Sequence, residues 1–369
     1  MEVQVIRDFE EFKALKDEWN KTLMKSQCNT FYLTFEWLST WWQYFGEGDE
    51  LFVILIRDDG KLIGAAPLMI KKTQLGGITV DRKLQFIAHD VSDYMDFMIT
   101  DKPEKCFSLI FDQIKMRSNL WDWAEFVYIP ENSPLLSYWL NQSGLKEVRD
   151  ISVVIDLTKY QNWEEYFRSL DKKVRDDVKR QENNLKRMGE ISLEIFTDYD
   201  QINSTLSKFF ELHRKRWAEE GFKSQFQDER LKKRYLALAE VLSSSGRVEL
   251  SCLKVDQVIA ALHFGFVYNE RYYYYTPAFN PEFKKFSPGK LLLANLIRNS
   301  FEKRFKKFDL LRGAEKYKFF WSDNKISLYG ISVFKKSMAS QMKYFYKKEL
   351  RFRLARIPFL RYLKRKLSG

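Results

Sequence analysis

The feature that most limits what this chain can fold into is a repeat of its own pattern. Leu62-Ile63-Gly64-Ala65 returns as Val258-Ile259-Ala260-Ala261, 196 positions later. Each copy opens the second arm of a hairpin. In the first half, Leu51 to Ile56 and Leu62 to Ile70 flank Asp58-Asp59-Gly60-Lys61; an Asp-Gly pair between two apolar runs is a strong hairpin signal. In the second half, Arg247 to Val255 turns at Asp256-Gln257 into Val258 to Val267. Further along, Trp121 to Phe126 falls where Phe305 to Leu310 falls. Each half then reads strand, two helices, hairpin, strand, helix, strand, helix, strand. Self-similarity at a long period is best explained by duplication, so two α+β units in tandem are expected. Their expected bounds are 1–157 and 158–340, followed by a tail at 341–369. Ser152 to Leu157 reads as a strand that either closes the first sheet or bridges to the second.

Bulk properties fit this organisation. A chain of 369 residues is comfortable for two domains, and 45% apolar with 30% charged residues is ordinary for a soluble protein. No apolar run approaches the roughly 18–20 residues of a membrane span. The start, Met1 to Asp8, lacks the basic-then-apolar pattern of a signal peptide. Cys28, Cys106 and Cys252 lie far apart, and there are only three histidines, so no metal site is predicted and a cytoplasmic location is expected. The net charge of +12 is uneven: residues 341–369 hold ten Lys/Arg against Glu349, leaving +3 for the first 340 residues. The basicity belongs to the tail, which argues against a nucleic-acid binder read from overall charge. With Leu350, Leu354, Ile357 and Leu360 among its basic residues, the tail has the composition of an interfacial helix on an anionic membrane surface. A solvated helix packed on its own domain reads equally well.

One helix start stands out. Ser287-Pro288-Gly289-Lys290 opens the apolar run Leu291 to Ile297, just after the aromatic strand Arg271 to Thr276. A serine cap and a proline at the first helical position specify the start. Unpaired backbone N–H groups at the positive end of the helix suit a phosphate, Gly289 admits a ligand close to the backbone, and Lys290 adds a cation. The plainer reading is that Ser-Pro merely begins a helix. The counterpart in the first half is Asp101-Lys102-Pro103-Glu104, acidic and without glycine, where a phosphate would be repelled. One reactive centre is therefore expected, in the second unit, with a non-catalytic first unit that shapes the acceptor site.

This order of elements resembles the GNAT acyltransferase fold. The residues that carry the likeness are Phe35-Glu36-Trp37-Leu38 with Trp41-Trp42, Ser92-Asp93-Tyr94-Met95-Asp96-Phe97, Leu212-His213 with Arg216-Trp217, Ser287-Pro288-Gly289, and Phe308-Asp309-Leu310-Leu311-Arg312-Gly313 with Glu315-Lys316-Tyr317-Lys318. Together they cover residues 1 to about 335. The tandem arrangement is similar to CelD-like proteins of exopolysaccharide and cellulose clusters and to the Fem-type aminoacyl transferases. The resemblance implies two tandem GNAT-like domains, each a mixed, mostly antiparallel sheet flanked by helices. It implies that the turn at Ser287, Pro288, Gly289 and Lys290 holds the pyrophosphate of acyl-CoA (acetyl-CoA), with the thioester in the gap beside Tyr275 and Thr276.

Acyl transfer requires proton removal from the nucleophile, a polarised carbonyl and protonation of the leaving group. In a GNAT-like site backbone N–H groups polarise the carbonyl, which fits the lack of a Cys/His or Ser/His signature. Lys318 matches a lysine that Fem-type enzymes place near the reacting carbonyl; it also reads as one solvated lysine among many. Tyr317 is a candidate proton donor, although tyrosines commonly pack the ring and wet the hydroxyl. His263 is a candidate base, although a lone strand histidine is usually structural. Asp93, Tyr94, Asp96 and Arg312 are candidate acceptor ligands, and His213, Arg216 and Trp217 a candidate cleft edge, since His213 and Trp217 share a helix face. Asp309 reads as a local cap or pair. The function expected is transfer of an acyl group from acyl-CoA to an amine or hydroxyl of a sugar or envelope precursor. Two alternatives stay open: a Fem-like transferase using charged tRNA, with the basic helices at 172–187 and the tail as RNA contacts, and a non-catalytic binding module.

Overall fold

The computed structural model describes residues 1–142 and 146–334; the basic tail expected at 341–369 lies outside the described residues. In chain order the elements are β1 (Glu2–Ile6), α1 (Phe9–Lys13), α2 (Lys16–Lys25), α3 (Phe35–Phe45), β2 (Glu50–Asp58), β3 (Lys61–Leu75), β4 (Ile78–Phe86), β5 (Met98–Ile99), α4 (Pro103–Met116), β6 (Trp123–Pro130), α5 (Pro134–Asn141) and β7 (Glu147–Asp156). The second half continues with α6 (Trp163–Ser169), α7 (Lys172–Lys186), β8 (Ile191–Phe196), α8 (Tyr199–Glu219), α9 (Glu229–Ser243), β9 (Val248–Val255), β10 (Val258–Tyr268), β11 (Arg271–Phe279), α10 (Pro288–Glu302), β12 (Lys307–Arg312) and β13 (Lys325–Phe334).

These elements form two compact units whose membership interleaves along the chain. The first takes Met1–Cys28, Gly46–Arg149 and the residues from Tyr329; the second takes Asn29–Phe45 and Asp150–Leu328. In the first unit the strands run β1-β2-β3-β4-β6, with β5 also paired to β3. All pairings are antiparallel except β4 with β6. The second repeats the scheme as β8-β9-β10-β11-β12, where β11 and β12 are the parallel pair. Lys83 opposite Trp123 and Arg271 opposite Lys307 open the two parallel pairs, so the duplication read from the sequence extends to strand register. The first hairpin turns as its Asp-Gly pair dictates, with φ of 47° at Asp59 and 74° at Gly60.

Where the halves depart from each other, packing decides. Strand β7 follows the first repeat in sequence, yet from Asp150 it belongs to the second unit, antiparallel to β12 (Asp156 opposite Lys307). Residues 29–45 also pack in the second unit. Phe31, Tyr32 and Trp37 are all 0% exposed, and Trp37 lays its edge on Phe266 at 5.5 Å and on Tyr275 at 5.6 Å. Each such ring buries on the order of 150–250 Å², so the aromatic stripe of α3 is core. The tyrosine run of β11 alternates as a strand must. Tyr272 and Tyr274 join the core containing α10, while Tyr273 and Tyr275 meet rings of the 29–45 segment. The helix expected after β12 is shortened to a 3-10 turn at Lys318–Phe320.

Candidate active site

In the second unit the parallel pair β11 and β12 opens part-way along. Their register ends at Tyr273 opposite Asp309; beyond it β11 stays with β10 as far as Phe279, and β12 stays with β7 as far as Arg312. Both strands deform at the fork. Between Phe266 opposite Tyr273 and Phe264 opposite Thr276, β11 carries one more residue than β10, a bulge at Tyr274-Tyr275. Such a bulge leaves a residue out of the ladder and turns its backbone groups out of the sheet. On β12, Leu311 takes a left-handed conformation at φ 63°.

Buried side chains hold that shape. Asp309, 0% exposed, accepts from the Leu311 N–H at 2.9 Å and the Ser152 hydroxyl at 3.2 Å, and pairs with Arg271 at 3.2 Å. A buried charge met by this many donors is a built feature, more than the local cap its sequence suggests. On the far side Lys318, 3% exposed, donates from Nζ to the carbonyls of Leu311 (3.0 Å) and Arg312 (2.5 Å) and pairs with Glu315 at 2.9 Å. All three ammonium protons are thus engaged at the end of β12, and Lys318 is neither solvated nor a free donor.

The helix start differs from expectation in one respect. Ser287 does not cap α10: it is left-handed (φ 51°) and its side chain makes no cap hydrogen bond. The reason lies in the preceding 3-10 turn, Pro281–Phe286, which Ser287 also ends through its N–H to Lys284. Its carbonyl takes the N–H groups of Lys290 (3.0 Å) and Leu291 (3.3 Å), so the Gly289 N–H is left without a partner among the described residues. A Cβ built on Gly289 would meet only Phe279 Cδ1, at 3.8 Å. Neither crowding nor backbone angle requires glycine there. Lys290 pairs with Asp177 of α7, which Arg180 also contacts. The first unit's counterpart, Lys102 before Pro103, is likewise left-handed and uncapped.

Phe279 connects this turn to the fork. The Arg216 guanidinium lies 4.6 Å from the Phe279 ring, and its charge is felt by the hydroxyls of both Tyr274 and Tyr317. Burial raises both phenols; Tyr317 raises Tyr274 further and Glu315 raises Tyr317 further, while Arg216 opposes the rise in each. At neutral pH both stay protonated. Tyr317 is 39% exposed and able to meet a ligand. Tyr275 is half-buried, and the Thr276 hydroxyl shares a hydrogen bond with Tyr235 at 2.8 Å.

Of the four other candidates in this unit, the two histidines are sealed. His263 is 0% exposed, stacked on Tyr274 at 4.0 Å, with Nδ1 3.0 Å from the Tyr272 hydroxyl; burial lowers it to about 3, so it is neutral and out of reach of solvent. His213 is 4% exposed, accepts from the Trp217 indole at 3.1 Å through Nε2 and so directs Nδ1 at the Ser224 hydroxyl, 2.8 Å away. Burial, then Arg216, lowers it to about 4. Trp217 is half-buried beside it, and Arg312 lends its carbonyl to Lys318.

Asp93, Tyr94 and Asp96 belong to the first unit and are 5%, 2% and 1% exposed. Their segment occupies the corresponding fork: β4 and β6 pair only at Lys83-Trp123 and Leu84-Ala124, and the Met95 N–H bonds the Tyr128 carbonyl at 3.1 Å. Tyr128 (φ 62°), like Leu311, is left-handed on the second strand of its parallel pair. Asp96 Oδ1 accepts from the Phe97 N–H at 2.7 Å, and burial raises the carboxyl to about 7, opposed by the Ser133 hydroxyl and the Phe97 and Leu135 N–H groups.

Among the described residues no group of three or more His, Cys, Asp or Glu is placed to hold a metal, and no helix is long and apolar enough to cross a membrane. No curated protein is significantly similar to the chain. Among solved structures, FemX is similar over 93% of this chain and 99% of its own, at 12% identity and a TM-score of 0.63. A conserved protein of unknown function from Bacteroides thetaiotaomicron matches 90% of this chain and 100% of its own (12% identity, TM-score 0.57). The C-terminal domain of a protein assigned as a lysylphosphatidylglycerol synthetase from Agrobacterium fabrum matches 91% and 95% (11% identity, TM-score 0.55). Residues 172–319 match the acetyltransferase (GNAT) domain family, so the forked sheet with its bulge and helix start in the second unit is GNAT-like.

Proposed function

We propose that the second unit transfers an acyl group, acetyl in the simplest case, from acyl-CoA to an amine or hydroxyl of a sugar or cell-envelope precursor, as in the CelD-like group. The observation that carries this reading is the forked pair β11/β12, with a bulge on one arm and the open Gly289 turn joined to it through Phe279. The Gly289 N–H and the helix end would receive the diphosphate, and the thioester would lie in the fork. Backbone N–H groups at the Tyr274-Tyr275 bulge would polarise its carbonyl. The acceptor attacks the carbonyl carbon directly: a C–N or C–O bond forms as the acceptor gives up its N–H or O–H proton to solvent, the C–S bond breaks, and the departing thiolate takes a proton that solvent then restores to the donor. Tyr317, held protonated, is the donor for that proton, and Arg216 offsets charge nearby. His263 has no part because it is sealed; Lys318 acts by holding the end of β12. Calorimetric titration with acetyl-CoA and longer acyl-CoAs tests the reading: saturable heat is expected, and silence with all of them would defeat it.

A second reading, aminoacyl transfer from charged tRNA, is favoured by one observation, the exposed basic residues Lys172, Lys173, Lys179 and Arg180 on α7. It requires tRNA binding that weakens steeply with salt.

A further inference from the structure

One charge in the second unit is buried without compensation. Arg234, on α9, is 0% exposed, and its Nε, Nη1 and Nη2 all lack a hydrogen-bond partner among the described residues. It makes no ion pair there either; Glu36, the carboxylate on the facing helix α3, lies 3.8 Å from Arg247 instead. What meets the guanidinium is a ring: its carbon stands 4.1 Å from the centre of Trp37. A ring face attracts a cation, but it takes up none of the N–H groups in the way an acceptor oxygen does. Arginine also keeps its proton at every pH a protein meets, so this charge is permanent. Taking such a group out of water without a counter-charge destabilises the fold. Breaches of that kind belong to sites kept for function.

The surroundings of Arg234 point to which function. Trp37 sets its edge 5.6 Å from the Tyr275 ring, so the guanidinium stands within about 10 Å of the bulge, a range over which a unit charge still acts strongly where water is excluded. The next side chain on α9 reaches the same arm of the fork: the Tyr235 hydroxyl shares its hydrogen bond with Thr276, directly after the bulge. Burial raises the Tyr235 phenol well above its usual range and Tyr275 adds to the rise, while Thr276 and Arg234 oppose it. The charge of Arg234 is thus felt on β11.

We infer that Arg234 is a positioning charge for acyl transfer, left unneutralised behind the Tyr274-Tyr275 bulge to face the negative charge that grows on the acyl carbonyl oxygen. This rests on the donor reading above. As the acceptor adds, one electron pair moves onto the carbonyl oxygen, and it returns to carbon when the C–S bond breaks. Arg234 exchanges no proton at either step and acts through its field alone. A carboxylate beside it would cancel that field. An anion bound on Arg234 itself fits less well, because all three nitrogens are closed to solvent.

A mere clamp on Trp37 and a charge held against the fold predict opposite signs. Cutting a clamp lowers stability; removing an unneutralised charge raises it and weakens the field. The test compares the full chain with Arg234→Met by scanning calorimetry, by acetyl-CoA titration, and by the infrared carbonyl stretch of bound acetyl-CoA isotope-labelled at its thioester carbonyl. The variant should melt a few degrees higher and keep a Kd for acetyl-CoA within about twofold of wild type. Its carbonyl band should move to higher wavenumber, toward that of free acetyl-CoA. Arg234→Lys is a second neutral variant of like shape, since a buried ammonium without partners sheds its proton, and it should move the band the same way. A lower melting temperature in both variants makes Arg234 a clamp and overturns the inference. A band that ignores both variants while acetyl-CoA still binds sinks the inference alone. Wild type that binds no acyl-CoA brings down the donor reading, and the inference with it.

Discussion

Replacing Gly289 should make the protein more stable and its donor binding worse. The structure supplies both signs. The residue has no positive φ, and a new Cβ meets only Phe279 Cδ1 at an ordinary 3.8 Å. Removing the glycine's unfolded-state freedom therefore stabilises by about 0.4–1 kcal/mol. A carboxylate in the first turn of α10 adds about 0.3–1 kcal/mol through the helix dipole. For Gly289→Glu the melting temperature should rise by a few degrees, at roughly 2–4 °C per kcal/mol for a unit of this size. Binding should move the other way. A carboxylate about 6 Å from a diphosphate carrying two charges costs between about 1.4 and 5.5 kcal/mol as the effective dielectric goes from that of water to that of a protein surface. Even the lower figure is about tenfold in Kd. Scanning calorimetry and acetyl-CoA titration of wild type, Gly289→Ala and Gly289→Glu are the assays. If Gly289→Glu is stably folded and its Kd for acyl-CoA stays within about twofold of wild type, the space over this turn is not a donor site.

Two further outcomes are expected. Asp96 has its carboxyl raised by burial from 3.8 to about 7, so between those values the folded chain holds a proton that the unfolded chain has released. The stability from the protonated form is complete below about pH 4 and is lost as pH rises through 7, on the order of 4 kcal/mol in all. Asp96→Asn should thus gain on wild type steadily from pH 4 to 7 in urea melts, and a pH-independent difference would refute the assignment; the variant comparison cancels His213 and His263, which act in the opposite sense. Lys318→Met leaves the Leu311 and Arg312 carbonyls short of donors and should destabilise by about 2–4 kcal/mol, with acyl transfer falling along with the folded fraction. Full stability with lost turnover would instead show that Lys318 acts on the reacting group.

How much of this was legible beforehand depends on how local each feature is. The hairpin at Asp59-Gly60 and the alternating tyrosines of β11 are written in neighbouring residues, and so was the match of Trp121–Phe126 to Phe305–Leu310 that predicts equivalent strands. The pairing of β7 is not, because alternation along Ser152–Leu157 tells which residues face inward but not which strand lies alongside. Ser287 looked like a cap because Ser-Pro so often is one; the turn before it, anchored by buried Phe283, sets a backbone angle from which its hydroxyl cannot serve. For Lys318 the sequence leaves two readings, a lysine near the reacting carbonyl or one solvated lysine among many, because its acceptors are main-chain carbonyls, turned toward it only once Leu311 adopts φ 63°. For the fork, the readable part was the location between Tyr275 and Arg312. Its construction from Asp309, Ser152 and Arg271 needs three segments far apart in the chain.

The interleaved membership of the two units has a consequence for inheritance. A crossover near residue 157 that grafts the second half onto a relative's first half would hand it a foreign 29–45 segment and a foreign β7, both parts of its own interior. Such chimeras would begin with mismatched rings against Phe266 and Tyr275, so the halves of this chain can be exchanged between lineages only when their partners have drifted together.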